Sequence, residues 1–301
     1  MTPVRGALVA AACAALALGA ATSARADAPA PAAAEAFAAG AAGEPEAGGT
    51  HWRIATERGP VHVWIPAGHD PARSGIVVYV HGYFTTLDDE WTKNHLAEQF
   101  AASGVDAVFV APSAPAKFPD AVPWRSLPNL LDTVRRALGR PLPTGRFVVV
   151  GHSGAFRTIA EWLAGPWRPS ATIALVDGLY HNDDDFRNWV LGVRGRRLIL
   201  VGGETTSHCE RLFARNRRWA ERREGLPREA EALDRAAREA RILYFASRVE
   251  HFELVSGGTT IPLILRLTSL PRLDAAPQPR LDAAPQPRGT MKSRTADSPA
   301  L

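Results

Sequence analysis

Apolar residues in the middle of the chain fall into short solid runs, and the stretches between them carry apolar positions every three or four residues. Runs at 76–80, 107–110, 147–150, 172–176, 198–201 and 242–245 have the pattern of strands covered on both faces. Helical spacing fills the intervals 86–102, 127–138, 153–163, 184–191, 207–223 and 227–240, and 261–270 closes the series. Thr86 is placed to cap its helix, with Asp88, Asp89 and Glu90 in the first turn complementing the dipole. Two further strands, 51–55 and 61–65, are joined by Arg58-Gly59-Pro60, a turn signal. Strands separated by helices imply an α/β fold: a mostly parallel sheet with helices on both faces and the opening pair as its antiparallel edge.

The two ends read differently. Residues 1–26 place one arginine, Arg5, before an apolar run and close it with Ala24-Arg25-Ala26, the pattern of a cleaved export signal. The run is short and Ala-rich for a spanning helix, so no stable membrane insertion is expected after cleavage. Residues 27–49 are mostly Ala, Pro, Gly and Glu, with Phe37 as the one aromatic, and read as a disordered linker. Residues 271–301 contain the octapeptide RLDAAPQP twice in tandem, from Arg272 and from Arg280, and read as a disordered tail. One domain is therefore expected over 50–270.

Charge follows the same division. The chain is formally +4, but residues 1–26 and 271–301 each carry +2, which leaves none for 27–270. A body without basic excess argues against a nucleic-acid partner. Cleavage would leave Cys209 as the only cysteine, so no internal disulfide is expected, and it reads as a small partly buried residue near a helix start. The Arg-rich stretch 211–241 reads as a solvated helical face, placed where a helical pair could overhang a site. His181-Asn182-Asp183-Asp184-Asp185 lacks the ligand spacing of a calcium loop and reads as an acidic helix start.

The strand 147–150 runs into Gly151-His152-Ser153-Gly154-Ala155 and then directly into a helix. A serine on such a turn stands above the sheet, and the turn is so sharp that small residues must flank it. Ala155 replaces the last glycine of the usual G-x-S-x-G pattern. The amide of Gly154, at the helix start, can donate to an oxyanion, and the strand ending in His81-Gly82 offers a second donor in the amide of Tyr83. The order of elements and these two motifs resemble the α/β-hydrolase fold over 50–270. A narrower likeness joins Ser153-Gly154-Ala155-Phe156-Arg157, Asp177-Gly178-Leu179-Tyr180 and Phe186-Arg187-Asn188-Trp189 to uncharacterised bacterial hydrolase-like proteins.

The resemblance implies a histidine after the last strand, and His251 is the one that qualifies. His208, in Ser207-His208-Cys209-Glu210, reads as part of a capped helix start. The acid stays open. Asp177 directly follows its strand and is favoured by the narrower likeness; Glu204 occupies the position commoner in the fold; Asp183 to Asp185 are remoter candidates. The implied chemistry is an exported (secreted or periplasmic) Ser-His-Asp esterase, with amides as a variant, acting on a small-molecule ester with no cofactor and no metal. The alternative is a catalytically silent hydrolase-like domain that binds a ligand or envelope partner. Phe84, Trp91, Trp124 and Trp167 are candidate pocket aromatics, with core packing as their ordinary use. If 1–26 is an export signal, N-terminal sequencing of the exported protein is expected to start at Asp27; an intact Met1 would contradict it.

Overall fold

A computed structural model of the protein describes residues 42–165 and 171–273. The export signal, most of the linker, Trp167 and the tandem octapeptides beyond residue 273 lie outside the described residues.

Ten strands form one sheet: β1 (Glu44–Glu46), β2 (Gly49–Ile54), β3 (Val61–Pro66), β4 (Gly75–Val80), β5 (Ala107–Pro112), β6 (Phe147–His152), β7 (Ala171–Val176), β8 (Arg197–Gly202), β9 (Ala220–Glu224) and β10 (Ile242–Ala246). Their order is β1-β2-β3-β5-β4-β6-β7-β8-β10-β9. The first three run antiparallel to their neighbours, and every pairing from β5 to β9 is parallel.

The solid apolar runs are explained by alternation across this sheet. Ile76, Val78, Val149, Ile173, Leu200 and Tyr244 face one core, which includes α3 (Leu127–Leu138), α4 (Phe156–Leu163), α5 (Asp183–Gly192) and α6 (Thr206–Arg215). Val77, Tyr79, Val148, Val176, Val201 and Phe245 face the other, with α1 (Leu87–Lys93), α2 (Leu96–Ser103), α8 (Glu253–Ser256) and α9 (Thr260–Arg266). Between α6 and α8 the remaining short helix, α7 (Arg235–Glu239), packs against β9.

Five expectations are corrected, one of them the tail boundary: residues 271–273, expected to be disordered, pair with residues 104–106. The 86–102 helix is two, because Asn94 closes α1 and His95 takes a left-handed backbone, φ 50°, before α2. The 207–223 helix stops at Arg215, and the chain then forms β9. That charged segment becomes an edge strand because β10 offers it a full parallel ladder, and its arginines pair with Glu210, Glu221, Glu224 and Asp234. The 227–240 helix is a single 3₁₀ turn, Ala230–Ala232, followed by α7, so no helical pair overhangs the sheet from this stretch. Strand pairing also begins at Glu44, inside the segment expected to be linker. Polar contacts hold it: the Trp64 indole donates to the Glu46 carbonyl at 2.9 Å, and the Trp91 indole donates to the Glu46 carboxylate at 3.1 Å. Among the described residues no helix is long and apolar enough to cross a membrane.

Several histidines are buried in this body. Burial lowers His62 to about 4, against opposing help from Asp88, and lowers His152 to about 3. It also lowers His81. In the unfolded chain each takes up a proton near 6.5. Stability is therefore complete above about pH 6.5 and falls with acidification below it. At pH 5, His62 and His152 each cost about 2 kcal/mol. His251, whose pKa is raised, acts in the opposite direction. Thermal unfolding of the full chain is expected to show a clear loss of stability between pH 7.5 and 5, reduced in His62→Asn. A flat profile would contradict the buried neutral histidines.

Candidate active site

The sheet order reverses at β4 and β6: from β4 the chain runs outward to β5, then crosses back to β6. Ligand crevices in open α/β sheets form at such a switch, beyond the carboxyl ends of the strands. Ser153 leaves β6 at this place, in a 3₁₀ turn (Ser153–Ala155) that leads directly into α4. Its φ is +51°, in the left-handed region that a side chain normally avoids. A non-glycine residue held there stores strain, which the surrounding contacts must enforce.

Those contacts explain the small neighbours. A Cβ on Gly82 would lie 2.8 Å from the Ser153 Cβ, and one on Gly154 would lie 2.6 Å from the Tyr83 ring. The loop after β4 thus presses directly on the serine turn. Ala155 is tolerated because residue 151 is glycine: a Cβ there would approach the Ala155 methyl to 3.0 Å. His81 braces the same loop. Its Nδ1 donates to the Gly82 carbonyl at 2.7 Å, and its Nε2 accepts from the Ala114 amide at 2.9 Å, as a neutral ring must. Arg157 on α4 donates to the Tyr83 hydroxyl at 3.2 Å and to the Asp120 carbonyl at 2.9 Å.

Asp177 follows β7 and is fully buried, also with a positive φ of 45°. Its carboxylate accepts from the amides of Gly203, Glu204 and Thr205 at 2.9, 3.0 and 2.8 Å, and from the Thr205 hydroxyl at 2.7 Å. These donors stand where β8 turns into α6, an arrangement that favours negative charge. A fifth bond joins its Oδ2 to His251 Nδ1 at 2.8 Å. Burial opposes the Asp177 charge, yet the bonds from His251 and Thr205 outweigh it and hold the carboxyl well below its usual range. For His251, burial pulls downward, but the Asp177 bond and charge prevail, so the imidazole sits above its ordinary 6.5.

His251 lies in the loop after β10 and is anchored to the serine strand by the residue preceding Ser153. His152 Nε2 donates to the His251 carbonyl at 3.2 Å, and the two rings lie 4.6 Å apart. Among the described residues no hydrogen bond joins the Ser153 hydroxyl to His251; the hydroxyl stands beside Tyr180. The Tyr180 phenol, raised by burial and by the Asp177 and Glu204 charges, donates to Glu204 at 3.1 Å.

Of the two acids left open by the sequence, Asp177 bonds to the imidazole, while the Glu204 carboxylate is exposed and lies 3.8 Å from His251 Nδ1. Asp183 to Asp185 form the first turn of α5, as expected for an acidic helix start. His208 sits on α6 against Asp183 and Arg211, and Ser207 is inside that helix rather than capping it. Cys209 is buried in the same turn, and burial pushes its thiol up to about 12. Trp91 and Trp124 are core residues; Phe84 is exposed. Asp177, Glu204 and His251 also bring ligand-type atoms within 4.8 Å of one another, but the Asp177 carboxylate is already saturated with hydrogen bonds. His152, Thr205 and Gly203 escaped the sequence reading. The only signal for the latter two was the Gly202-Gly203 turn before Glu204.

The fold agrees with the resemblance to the α/β-hydrolases. Strand order, the antiparallel opening edge and the strained serine turn after β6 all agree with it. No family model matches the chain, and no curated protein matches its sequence. Similar solved structures include an S-formylglutathione hydrolase from Agrobacterium tumefaciens, 14% identical, covering 75% of this chain and 97% of that one at a TM-score of 0.44. A feruloyl esterase module from Clostridium thermocellum is 12% identical, covering 75% and 93%, at 0.47. An esterase from Pyrobaculum calidifontis is 13% identical, covering 74% and 86%, at 0.43. Superposition this loose lends the present chain no substrate.

The His251 geometry is open to direct measurement. By NMR, its imidazole is expected to titrate above 6.5 and its Nδ1 proton to resonate far downfield. In Asp177→Asn both signatures are expected to be lost. Their survival in that variant would contradict the assigned bond.

Proposed function

We propose that this chain is a serine hydrolase that cleaves carboxylic esters through a covalent acyl-enzyme. The observation that carries the reading is the buried Asp177–His251 pair, bonded at 2.8 Å and fastened through His152 to a serine turn with φ +51°.

In this reading the Ser153 hydroxyl turns from Tyr180 toward the free Nε2 of His251, a contact that tightens when substrate binds. Ser153 Oγ attacks the ester carbonyl as His251 takes its proton. Asp177 fixes the tautomer and stabilises the imidazolium without itself taking the proton. The amides of Gly154 and Tyr83 receive the negative charge on the carbonyl oxygen. His251 then protonates the leaving alcohol, and water, activated by the same imidazole, releases the acid and restores Ser153. With 1–26 as an export signal, the reaction takes place outside the cytoplasm.

A fluorophosphonate probe on the full chain is expected to label Ser153 and to fail on Ser153→Ala. Hydrolysis of p-nitrophenyl acetate should fall by about 10⁴ in Asp177→Asn, and by less than about tenfold in Glu204→Gln. Activity should rise with pH through a value above 6.5, because the base must be neutral and its pKa is raised. A folded sample that is neither labelled nor active would leave a binding domain in place of an enzyme. A larger loss in Glu204→Gln than in Asp177→Asn would reverse the choice of acid.

A further inference from the structure

Among the described residues, the large apolar side chains left exposed are Phe84, Phe118, Trp219, Val249 and Phe252. Four of these five stand on the loops that build the candidate site; Trp219 alone lies elsewhere, ahead of β9. Scattered exposed apolar residues are ordinary, but their gathering on the loops around one serine turn is not.

Phe84 follows Gly82 and Tyr83 on the loop that presses on Ser153. It is 84% exposed and has a φ of +66°, unfavourable for a bulky residue on both counts. The fold holds it there: its amide donates to the Ala116 carbonyl at 2.7 Å. Phe118 stands two residues beyond Ala116. The Arg157 guanidinium lies 5.2 Å from its ring and also bonds the Tyr83 hydroxyl. On the other side, Phe252 meets the His251 ring edge-on at 5.0 Å, and Val249 precedes it on the same loop.

We propose that these residues form a two-sided apolar seat for the ester, Phe84 and Phe118 holding the acyl chain and Phe252 and Val249 holding the leaving alcohol. This rests on the hydrolase reading above. The division follows from proton transfer: His251 must reach the leaving oxygen, so the alcohol lies on its side, against Phe252 and Val249. The carbonyl oxygen turns to the Gly154 and Tyr83 amides, and the acyl chain extends opposite the alcohol, along the loop bearing Phe84. The Glu204 and Glu250 carboxylates act electrostatically on His251 and disfavour an anionic leaving group. The substrate class is thus an ester with an uncharged alcohol and apolar groups on both sides of the scissile bond.

The test compares kcat/KM of the full chain on p-nitrophenyl octanoate and acetate, below the concentration at which the octanoate aggregates, and on phenyl and ethyl butanoate. Wild type is expected to prefer octanoate and the phenyl ester. Phe84→Ala should cut the octanoate-to-acetate ratio at least tenfold, while Phe84→Leu keeps most of it. Phe252→Ala should cut the phenyl-to-ethyl ratio instead, and Trp219→Ala should leave both ratios unchanged. Unchanged ratios in Phe84→Ala and Phe252→Ala, or an equal loss on all four esters in folded variants, would overturn the seat while leaving the hydrolase reading intact. A wild type that hydrolyses none of the esters and takes no fluorophosphonate would overturn that reading and the seat with it.

Discussion

The saturated carboxylate of Asp177 is the constraint on which the site depends. A buried charge without partners is expensive, and this one is made tolerable by five hydrogen bonds from two directions. Four come from the turn between β8 and α6, and the fifth comes from His251. Removing any one donor weakens the reason for the others to stay in place. Asp177 thus joins the ends of β7 and β8 and the loop after β10 into one unit, and that unit decides which imidazole nitrogen is left free.

The second constraint comes from the chain reversal at β4 and β6. It brings Gly82 and Tyr83 against Ser153 with no room for a side chain on Gly82 or Gly154. A strained serine needs such enclosure, since its φ would otherwise relax. His81 in the loop after β4, His152 at the end of β6 and Arg157 on α4 supply the bracing. His81 does this only as a neutral ring, and burial keeps His152 neutral, so the bracing that shapes the site also makes the body sensitive to acid.

The fold and most of the site were legible because they depend on local patterns. Six solid apolar runs appear as six central parallel strands, and the glycines around Ser153 announce a crowded turn. What was not legible depended on distant partners. Asp177 and Glu204 both follow sheet strands, and only the amides of residues 203–205 distinguish the carboxylate they cradle from the one left exposed. His152 occupies a position any residue could fill, until its bond to the His251 carbonyl is seen. β9 is written in Arg and Glu, which suit a helix, and becomes a strand through β10 and its ion pairs. Glu44–Glu46 resembled linker because composition measures apolar burial, whereas two indole donors hold Glu46.

Strain and exposure then separate structural from functional demands in a way that burial alone does not. Ser153 and Asp177 have positive φ values and are held by packed or hydrogen-bonded neighbours, so their strain is offset within the fold. Phe84 also has a positive φ, yet its ring faces water and receives no compensating burial. A fold selected for stability alone would place glycine or asparagine there, or turn the ring inward. In the proposed reading the compensation for Phe84 is the acyl chain of a bound ester. Its neighbours on the loop, Gly82 and Tyr83, place that contact beside the Ser153 turn.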